Sequence, residues 1–300
     1  MKIFYSDHFV IPLPPGHRFP MQKYSLLKQR VAAAGLVGPD ELMVPVAATD
    51  EELRRAHDPE YVRRVKCGEL TPKEIRCLGL PWSPALVERS RRSVGGTMAA
   101  CRAALVDGVS ANLAGGTHHA FYDRGEGYCV FNDSVIAARA MQAEGRVRRA
   151  VILDCDVHQG NGTASILAED STIFTFSIHG ANNFPFDKEK SDLDIELPDK
   201  TGDGLYLEAV ESGVVRSLEL AHAELAIYLA GADPYAEDKL GRLAVSKNGL
   251  AERDRLVLRL CREAGIPVAI TMAGGYARQI EDTVDIHFQT VRIAVEMANK

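Results

Sequence analysis

The chain has 300 residues, enough to enclose a hydrophobic core without disulfide or metal staples. With 46% hydrophobic and 25% charged residues it is neither disordered nor collagen-like. Its 35 Lys and Arg against 41 Asp and Glu leave a formal net charge of -6, a poor field for a phosphate backbone, so direct nucleic-acid binding is not expected.

The chain opens MKIFYSDHFV. Residues 2–5 read as a strand, and Ser6, Asp7 and His8 break any signal-peptide hydrophobic region. A second strand is predicted at 42–46, and helical periodicity covers 84–106. A short strand at 111–113 leads into LAGGTHHAF, and a helix follows at 133–144. Strands at 150–154 and 172–178 precede a helix at 205–221. The last third alternates a strand at 225–230, a helix at 250–264, a strand at 267–272 and a helix at 283–298. The central strands are continuously apolar, so both of their faces must be covered. The expected fold is α/β: three layers, with a single mostly parallel sheet sandwiched between helices. No repeat, low-complexity tract or linker cuts the chain, and residues 1–300 read as one domain.

No apolar run approaches the roughly 18 residues of a spanning helix. The six cysteines, Cys67, Cys77, Cys101, Cys129, Cys155 and Cys261, form no C-x-x-C pair. Cys155 in an apolar strand and Cys101 in an Ala-rich helix act as small hydrophobes, and a reduced, cytoplasmic protein is expected.

In open parallel sheets ligands bind beyond the carboxyl ends of the strands. Five strand ends carry glycines, imidazoles or acids: LAGGTHHAF, DCDVHQGNG, SIHGANNFPF, GADPYAEDKLG and MAGGY. In D-x-D-x-H, alternation puts Asp154, Asp156 and His158 on one side of an extended chain. Asp156 and His158 can then chelate one cation, with Asp154 behind them, and Asp233 at another strand end completes the set. Three protein ligands and an open position describe a catalytic zinc site. The plainer alternative makes these acids helix caps or turn formers, and the joint pattern outweighs it.

His118 and His119 follow Gly115 and Gly116, and in a loop both can reach one pocket. One imidazole can accept a proton from water and pass it to a leaving amine. Tyr276 follows Gly274 and Gly275, and its phenol can donate to a developing oxyanion.

GGTHHAFYDRGEGYCVFND, DCDVHQGNG, AGADPYAEDKLG and MAGGY together resemble the signature blocks of the zinc-dependent histone deacetylase family, of the arginase/deacetylase fold. The blocks stand in the family's order, and the resemblance runs from PLPPGHRFPM to the last helix. DVHQGNGT, with Gln159 in place of a second histidine, is similar to class IV members and their bacterial relatives. The resemblance implies that Asp156, His158 and Asp233 bind Zn2+, that His119 is general base and acid, and that His118 is its electrostatic partner. Asp154 and Asn161 stand where the family supports its histidines, and Tyr276 supplies the oxyanion hydrogen bond. Gly127, Tyr128 and Phe184, with Gly274 and Gly275, would line the acyl-lysine tunnel. Arg18 matches an arginine near an internal cavity used for acetate release, and a structural monovalent cation such as K+ is a further expectation near Asp154.

Two departures accompany the resemblance. Asn161 replaces a carboxylate of class I members, and residues 78–83 hold no counterpart of the acidic rim residue that grips the substrate backbone. The leading expectation is a zinc amidohydrolase removing acetyl or longer acyl groups from N-ε-acyl-lysine. A deacylase of acetylpolyamines or other small acylated amines shares the same centre. A two-manganese ureohydrolase would need an acid at Gly160. A non-catalytic acyl-lysine binder would not need the complete set of ligands and acid–base residues. The residues leave oligomeric state open.

Overall fold

In a computed structural model, which describes residues 1–299, the chain forms one eight-stranded sheet. The strands are β1 (Ile3–Phe4), β2 (Leu42–Met43), β3 (Val109–Asn112), β4 (Ala150–Asp154), β5 (Ile173–Gly180), β6 (Leu193–Leu197), β7 (Leu225–Leu229) and β8 (Val268–Thr271). Their spatial order is β2-β1-β3-β8-β7-β4-β5-β6. Every pairing is parallel, from Ile3 opposite Leu42 to Gly180 opposite Leu197. The expected mostly parallel sheet is thus wholly parallel, because each connection returns the chain to the same edge.

Strand alternation sorts the core into two layers. On one face Val151, Leu153, Ala226, Tyr228 and Ile270 pack under α1 (Lys23–Ala33), α8 (Asp203–Ala221), α9 (Lys247–Glu263) and α10 (Ile280–Ala298). On the other, Ala150, Ile152, Leu225, Ile227 and Ala269 pack under α5 (Pro84–Asp107) and α6 (Asp133–Ala143). The remaining helices are short: α2 (Asp50–Leu53), α3 (Pro59–Cys67), α4 (Pro72–Leu78) and α7 (Asn161–Leu167). Their starts are written locally, as Thr49 and Thr71 open capping boxes with Glu52 and Glu74, and Asp58 caps α3.

The five helices expected from periodicity are present, and α8, α9 and α10 begin two or three residues earlier than the apolar pattern does. A cap explains α9, where the Ser246 side chain accepts from the Gly249 N–H. β6 was not expected. It alternates Leu193, Ile195 and Leu197 with Asp194 and Glu196 and lies at the sheet edge, where one half-buried face suffices.

A buried ion pair fixes the carboxyl edge. Arg253 of α9, wholly buried, donates to Asp254 and to the backbone carbonyls of Gly231 and Cys155, at 2.6 and 3.4 Å for the latter two. Asp254 in turn accepts from Tyr228 and Thr290, each at 2.6 Å. One guanidinium thus ties together the segments leaving β4 and β7. Among the described residues no helix is long and apolar enough to cross a membrane. All six cysteines are free thiols, with Cys67 and Cys77 exposed.

Candidate active site

β4 and β7 are neighbours, so the segments leaving them run side by side at the carboxyl edge. Asp156 and His158 follow β4, and Asp233 follows β7. One ligand atom from each lies within 4.8 Å of the others, and all three side chains are buried. Backbone donors aim the carboxylates: Val157 N–H reaches Asp233 Oδ1 at 3.0 Å, and Gly274 N–H reaches Asp156 Oδ2 at 2.7 Å. His158 Nδ1 sits 2.9 Å from Asp156 Oδ1 and 3.3 Å from Asp233 Oδ2.

Asp233 Oδ2 is buried and makes no hydrogen bond, a costly condition for a carboxylate oxygen. Burial, then the charge of Asp156, pushes the Asp233 carboxyl up to about 7. Burial opposes a charged His158, yet Asp156 and Asp233 outweigh it and hold the imidazole up to about 10. Two crowded carboxylates that demand a positive partner, with an imidazole nitrogen between them, could hold a divalent cation. The cradle is tight: a Cβ at Gly274 would collide with the Asp233 carboxylate and come within 2.5 Å of Asp156 Oδ2.

His118 and His119 lie beside this set, and their partners make them opposites. His118 Nδ1 meets the Asp154 carboxylate at 2.7 Å, whereas His119 Nδ1 meets the Asn161 side-chain oxygen at 2.7 Å. Burial disfavours the charge on His118, but Asp154 and Asp156 prevail and raise it to about 9. For His119, burial and then the charges of His118 and His158 press its pKa well below the ordinary 6.5. Its Nδ1–H is committed to Asn161, so Nε2 is the free acceptor. Both oxygens of Asp154 meet protein donors, His118 and the Asp156 N–H.

The histidine-bearing loop is tied down from below. Asp133, at the start of α6, accepts from the Gly116 and Thr117 N–H groups and from the Thr97 and Thr117 hydroxyls. Asn132 Nδ2 donates to Ala120 O at 3.2 Å. Buried His57 closes the loop, donating from Nδ1 to Phe121 O and accepting the Asn132 N–H at Nε2, each at 2.8 Å. Sequence reading singled out the segment ending in Asn132 and Asp133 without assigning these two residues. It missed His57, which carries no local motif and acts across 64 and 75 residues.

A cavity of about 530 Å³ opens onto this floor. Gly127, Tyr128, Phe184, Gly274 and Tyr276 line it with Phe19. The Phe184 ring stands edge-on to His119 at 5.0 Å, and Tyr128 and Tyr276 approach to 5.9 Å. Tyr128 holds a positive φ of 68° and Ala273 one of 53°, two strained positions in the lining of the cavity. Gly127 must stay small, since a Cβ there would come within 2.7 Å of His119. Gly275 is buried behind the lining, next to Thr283 and His287. Arg76, Glu126, Asn182 and Arg242 surround the mouth, and residues 78–83 supply no carboxylate there.

One placement differs from expectation. Arg18 is exposed rather than set in an internal cavity. The arginine lining the small inner chamber, about 50 Å³ next to Tyr24 and Tyr128, is Arg89. It lies on α5, anchored to the carbonyls of Ser6 and Phe9, so alignment near residue 18 could not find it. Gln159 has a structural bond set, donating to Glu189 O and Asp194 and accepting the Glu189 N–H.

Comparison with known proteins converges on one family. Residues 17–291 match the histone deacetylase domain. An uncharacterized protein of Picosynechococcus is 43% identical over 285 residues, covering 95% of each chain. Histone deacetylase 2 of Arabidopsis thaliana is 28% identical over 301 residues, covering 95% of this chain and 78% of that one. The crystal structure of a histone deacetylase homologue from Aquifex aeolicus superposes with a TM-score of 0.83 at 23% identity, covering 100% of this chain and 84% of that one. The parallel sheet with its two helical layers is the arginase/deacetylase fold.

Proposed function

Because the chain belongs to the histone deacetylase family, we propose that residues 1–300 form one zinc-dependent catalytic domain that hydrolyses N-ε-acyl-lysine, releasing a carboxylic acid and a free lysine amine. The observation that carries this reading is the convergence, at the floor of one cavity, of the Asp156–His158–Asp233 donor set with two histidines of opposite charge preference.

Asp156, His158 and Asp233 would hold Zn2+. When bound, the ion supplies Lewis acidity toward an amide carbonyl and acidifies water. The chain's own residues account for the proton movements. His119, neutral and oriented by Asn161 through Nδ1, accepts a proton from the attacking water at Nε2 and returns it to the departing amine. His118, held positive by Asp154, stabilises the negative charge that develops on the former carbonyl oxygen. Tyr276 donates its phenolic O–H to that oxygen, and burial keeps its pKa far above the ordinary 10 and so keeps the proton in place. Tyr128 and Phe184 form the apolar walls that exclude water from the lysine stem.

The mouth favours a peptide over a polyamine. Arg76 is exposed there without an acidic partner among the described residues, and a polycation would approach it against repulsion. The inner chamber shares Phe19, Tyr24 and Tyr128 with the main cavity and adds Ile11, Leu80, Leu86 and Phe131 beside the polar Arg89 and Ser93, and its apolar side is where we place the chain of an acyl group longer than acetyl. Each methylene buried there would contribute about 0.8 kcal/mol.

The test is kcat/KM for acetyl-, octanoyl- and myristoyl-lysine peptides of one sequence and for an acetylated polyamine, with zinc content measured on the same samples. Asp233→Ala is expected to lose zinc and activity together while folding. Full zinc occupancy in that variant would refute the ligand set. Bound zinc with no turnover of any amide would refute the hydrolase reading in favour of a binder. A monotonic fall from acetyl onward would confine the enzyme to short acyl groups.

A further inference from the structure

The charge at the mouth of the cavity runs against that of the whole chain. The formal net charge is -6, yet Arg76 and Arg242 both line the mouth, and the acid beside them is Glu126. Burial pushes the Glu126 carboxyl up, and the charge that counters this belongs to Arg124. Arg76 is exposed, and the one acid of its helix, Glu74, is taken up by Arg64 at 2.6 Å and by the Thr71 N–H at 2.8 Å. Arg242 reaches Asp199 only at 3.5 Å, and its side chain stays 52% exposed. Arg18 adds a third guanidinium nearby: burial raises the Tyr128 phenol, and the charge of Arg18 acts against that rise.

The fold fastens each mouth arginine to a wall of the tunnel. α4 ends in Arg76, Cys77 and Leu78, and the carbonyls of Cys77 and Leu78 accept the N–H groups of Gly127 and Tyr128 at 3.2 and 2.8 Å. The Arg242 N–H donates to Asn183 Oδ1 at 3.2 Å, and Asn183 Nδ2 donates to Leu240 O at 2.7 Å. Phe184 is the next residue. Arg76 is thus set against the segment that carries Tyr128, and Arg242 against the segment that carries Phe184. At the same mouth Phe186 stands 79% exposed, edge-on to Phe184 at 6.4 Å. An exposed aromatic ring among arginines is the composition of a recognition surface. A plainer role exists for Arg76, since a cation in the last turn of α4 complements the helix dipole. That role does not extend to Arg242, which lies outside any helix.

We propose that Arg76 and Arg242 select acyl-lysine peptides that carry an Asp or Glu within about two residues of the modified lysine. With the lysine stem in the tunnel, the peptide backbone crosses the mouth. At about 3.4 Å per residue, flanking positions up to two away stay within about 7 Å of the lysine. A carboxylate there can meet a guanidinium through two parallel hydrogen bonds. Recognition is thereby moved onto the substrate's side chains, in a protein whose residues 78–83 supply no carboxylate to grip the substrate backbone. This inference rests on the hydrolysis of acyl-lysine peptides proposed above.

The test is kcat/KM of zinc-loaded protein for acyl-lysine peptides blocked at both termini and differing only in Asp, Asn or Lys at the flanking positions. The Asp peptide is expected to exceed the Lys peptide by about tenfold, with Asn between them. Arg76→Gln should cut that ratio by about threefold, and Arg76→Glu should invert it. Equal rates for the Asp and Lys peptides, or a ratio unchanged in Arg76→Glu, would overturn the inference. So would rates that fall together for all three peptides, since that is what a role confined to the α4 dipole produces. A further peptide, uncharged and ending at the acyl-lysine with a free carboxylate, separates a terminal carboxylate from a side-chain one. A preference for that peptide with no response to Asp would overturn the side-chain assignment. Should Arg76→Glu fail to fold, Arg242→Glu takes its place. If the unmodified protein turns over none of the peptides, the proposed reaction fails, and fluorescence anisotropy of the same labelled peptides decides the matter. Tighter binding of the Asp peptide, abolished by Arg76→Glu, would support the selection, and equal binding of the Asp and Lys peptides would overturn it.

Discussion

Acidification should loosen this protein through His57, and the geometry sets the size of the effect. The ring donates from Nδ1 to Phe121 O and accepts the Asn132 N–H at Nε2, so it must be neutral to make both bonds. Burial holds its pKa down at about 4, against the ordinary 6.5. Above 6.5 neither the folded nor the unfolded chain protonates this group, and its contribution is intact. As pH falls from there toward 4, the unfolded chain binds the proton first, so stability declines with pH. At about 1.4 kcal/mol per pH unit, the loss assigned to His57 is about 2 kcal/mol at about pH 5. His57→Gln removes the titrating ring but keeps an amide able to donate and accept. Its cost near neutrality should be about 1–3 kcal/mol, that of two imperfectly replaced buried bonds. Urea unfolding of both proteins, at about pH 7 and about pH 5, should show that gap shrinking by about 2 kcal/mol. The other buried histidines titrate equally in both proteins and cancel. A gap of the same size at both pH values would refute a neutral His57.

Gly274→Ala should abolish zinc binding with little effect on the metal-free fold, since its Cβ would intrude on Asp233 and Asp156; equilibrium dialysis with zinc checks this, and unchanged affinity would refute it. Asn161→Asp gives His119 a charged partner in place of a neutral one, which stabilises the imidazolium. The acid limb of the kcat/KM profile should therefore move to higher pH, and an unmoved profile would remove Asn161 as the partner that sets it. Arg253→Met leaves Asp254 buried and unpaired, and should cost about 3–5 kcal/mol in chemical unfolding. A loss below about 1 kcal/mol would show the ion pair to be dispensable.

What could be read from the residues alone divides along sequence distance. β4 appears at its expected bounds because Ala150–Asp154 is apolar on both faces, a pattern few alternatives share. Asp154, Asp156 and His158 sit within five positions, so spacing alone places them together. Asp233 was reachable because it ends a recognisable strand, and strand ends collect at one edge of a parallel sheet. β6 was missed because its alternation is embedded in the charged stretch KEKSDLDIEL. The starts of α2 and α4 were available as T-x-x-E capping boxes. His57 and Arg253 could not be assigned in this way. Each acts on backbone carbonyls or amides brought near only by the finished fold, and a backbone partner leaves no residue-type signal.

The strand order has a consequence for the timing of assembly. β1 pairs with β2 and β3, all made within residues 3–112, and β8 alone links that block to β7, so the amino-terminal strands can join the rest of the sheet only when synthesis is nearly over. β4, β5, β6 and β7 are contiguous in space and fall within residues 150–229, so they can pair while the ribosome is still working. A nascent chain would therefore possess Asp156, His158 and Asp233 before Tyr276 exists to join them. The order of translation thus separates the ability to capture an ion from the ability to turn over substrate, and the long wait for β8 is the interval in which an unfinished sheet edge is most open to wrong partners.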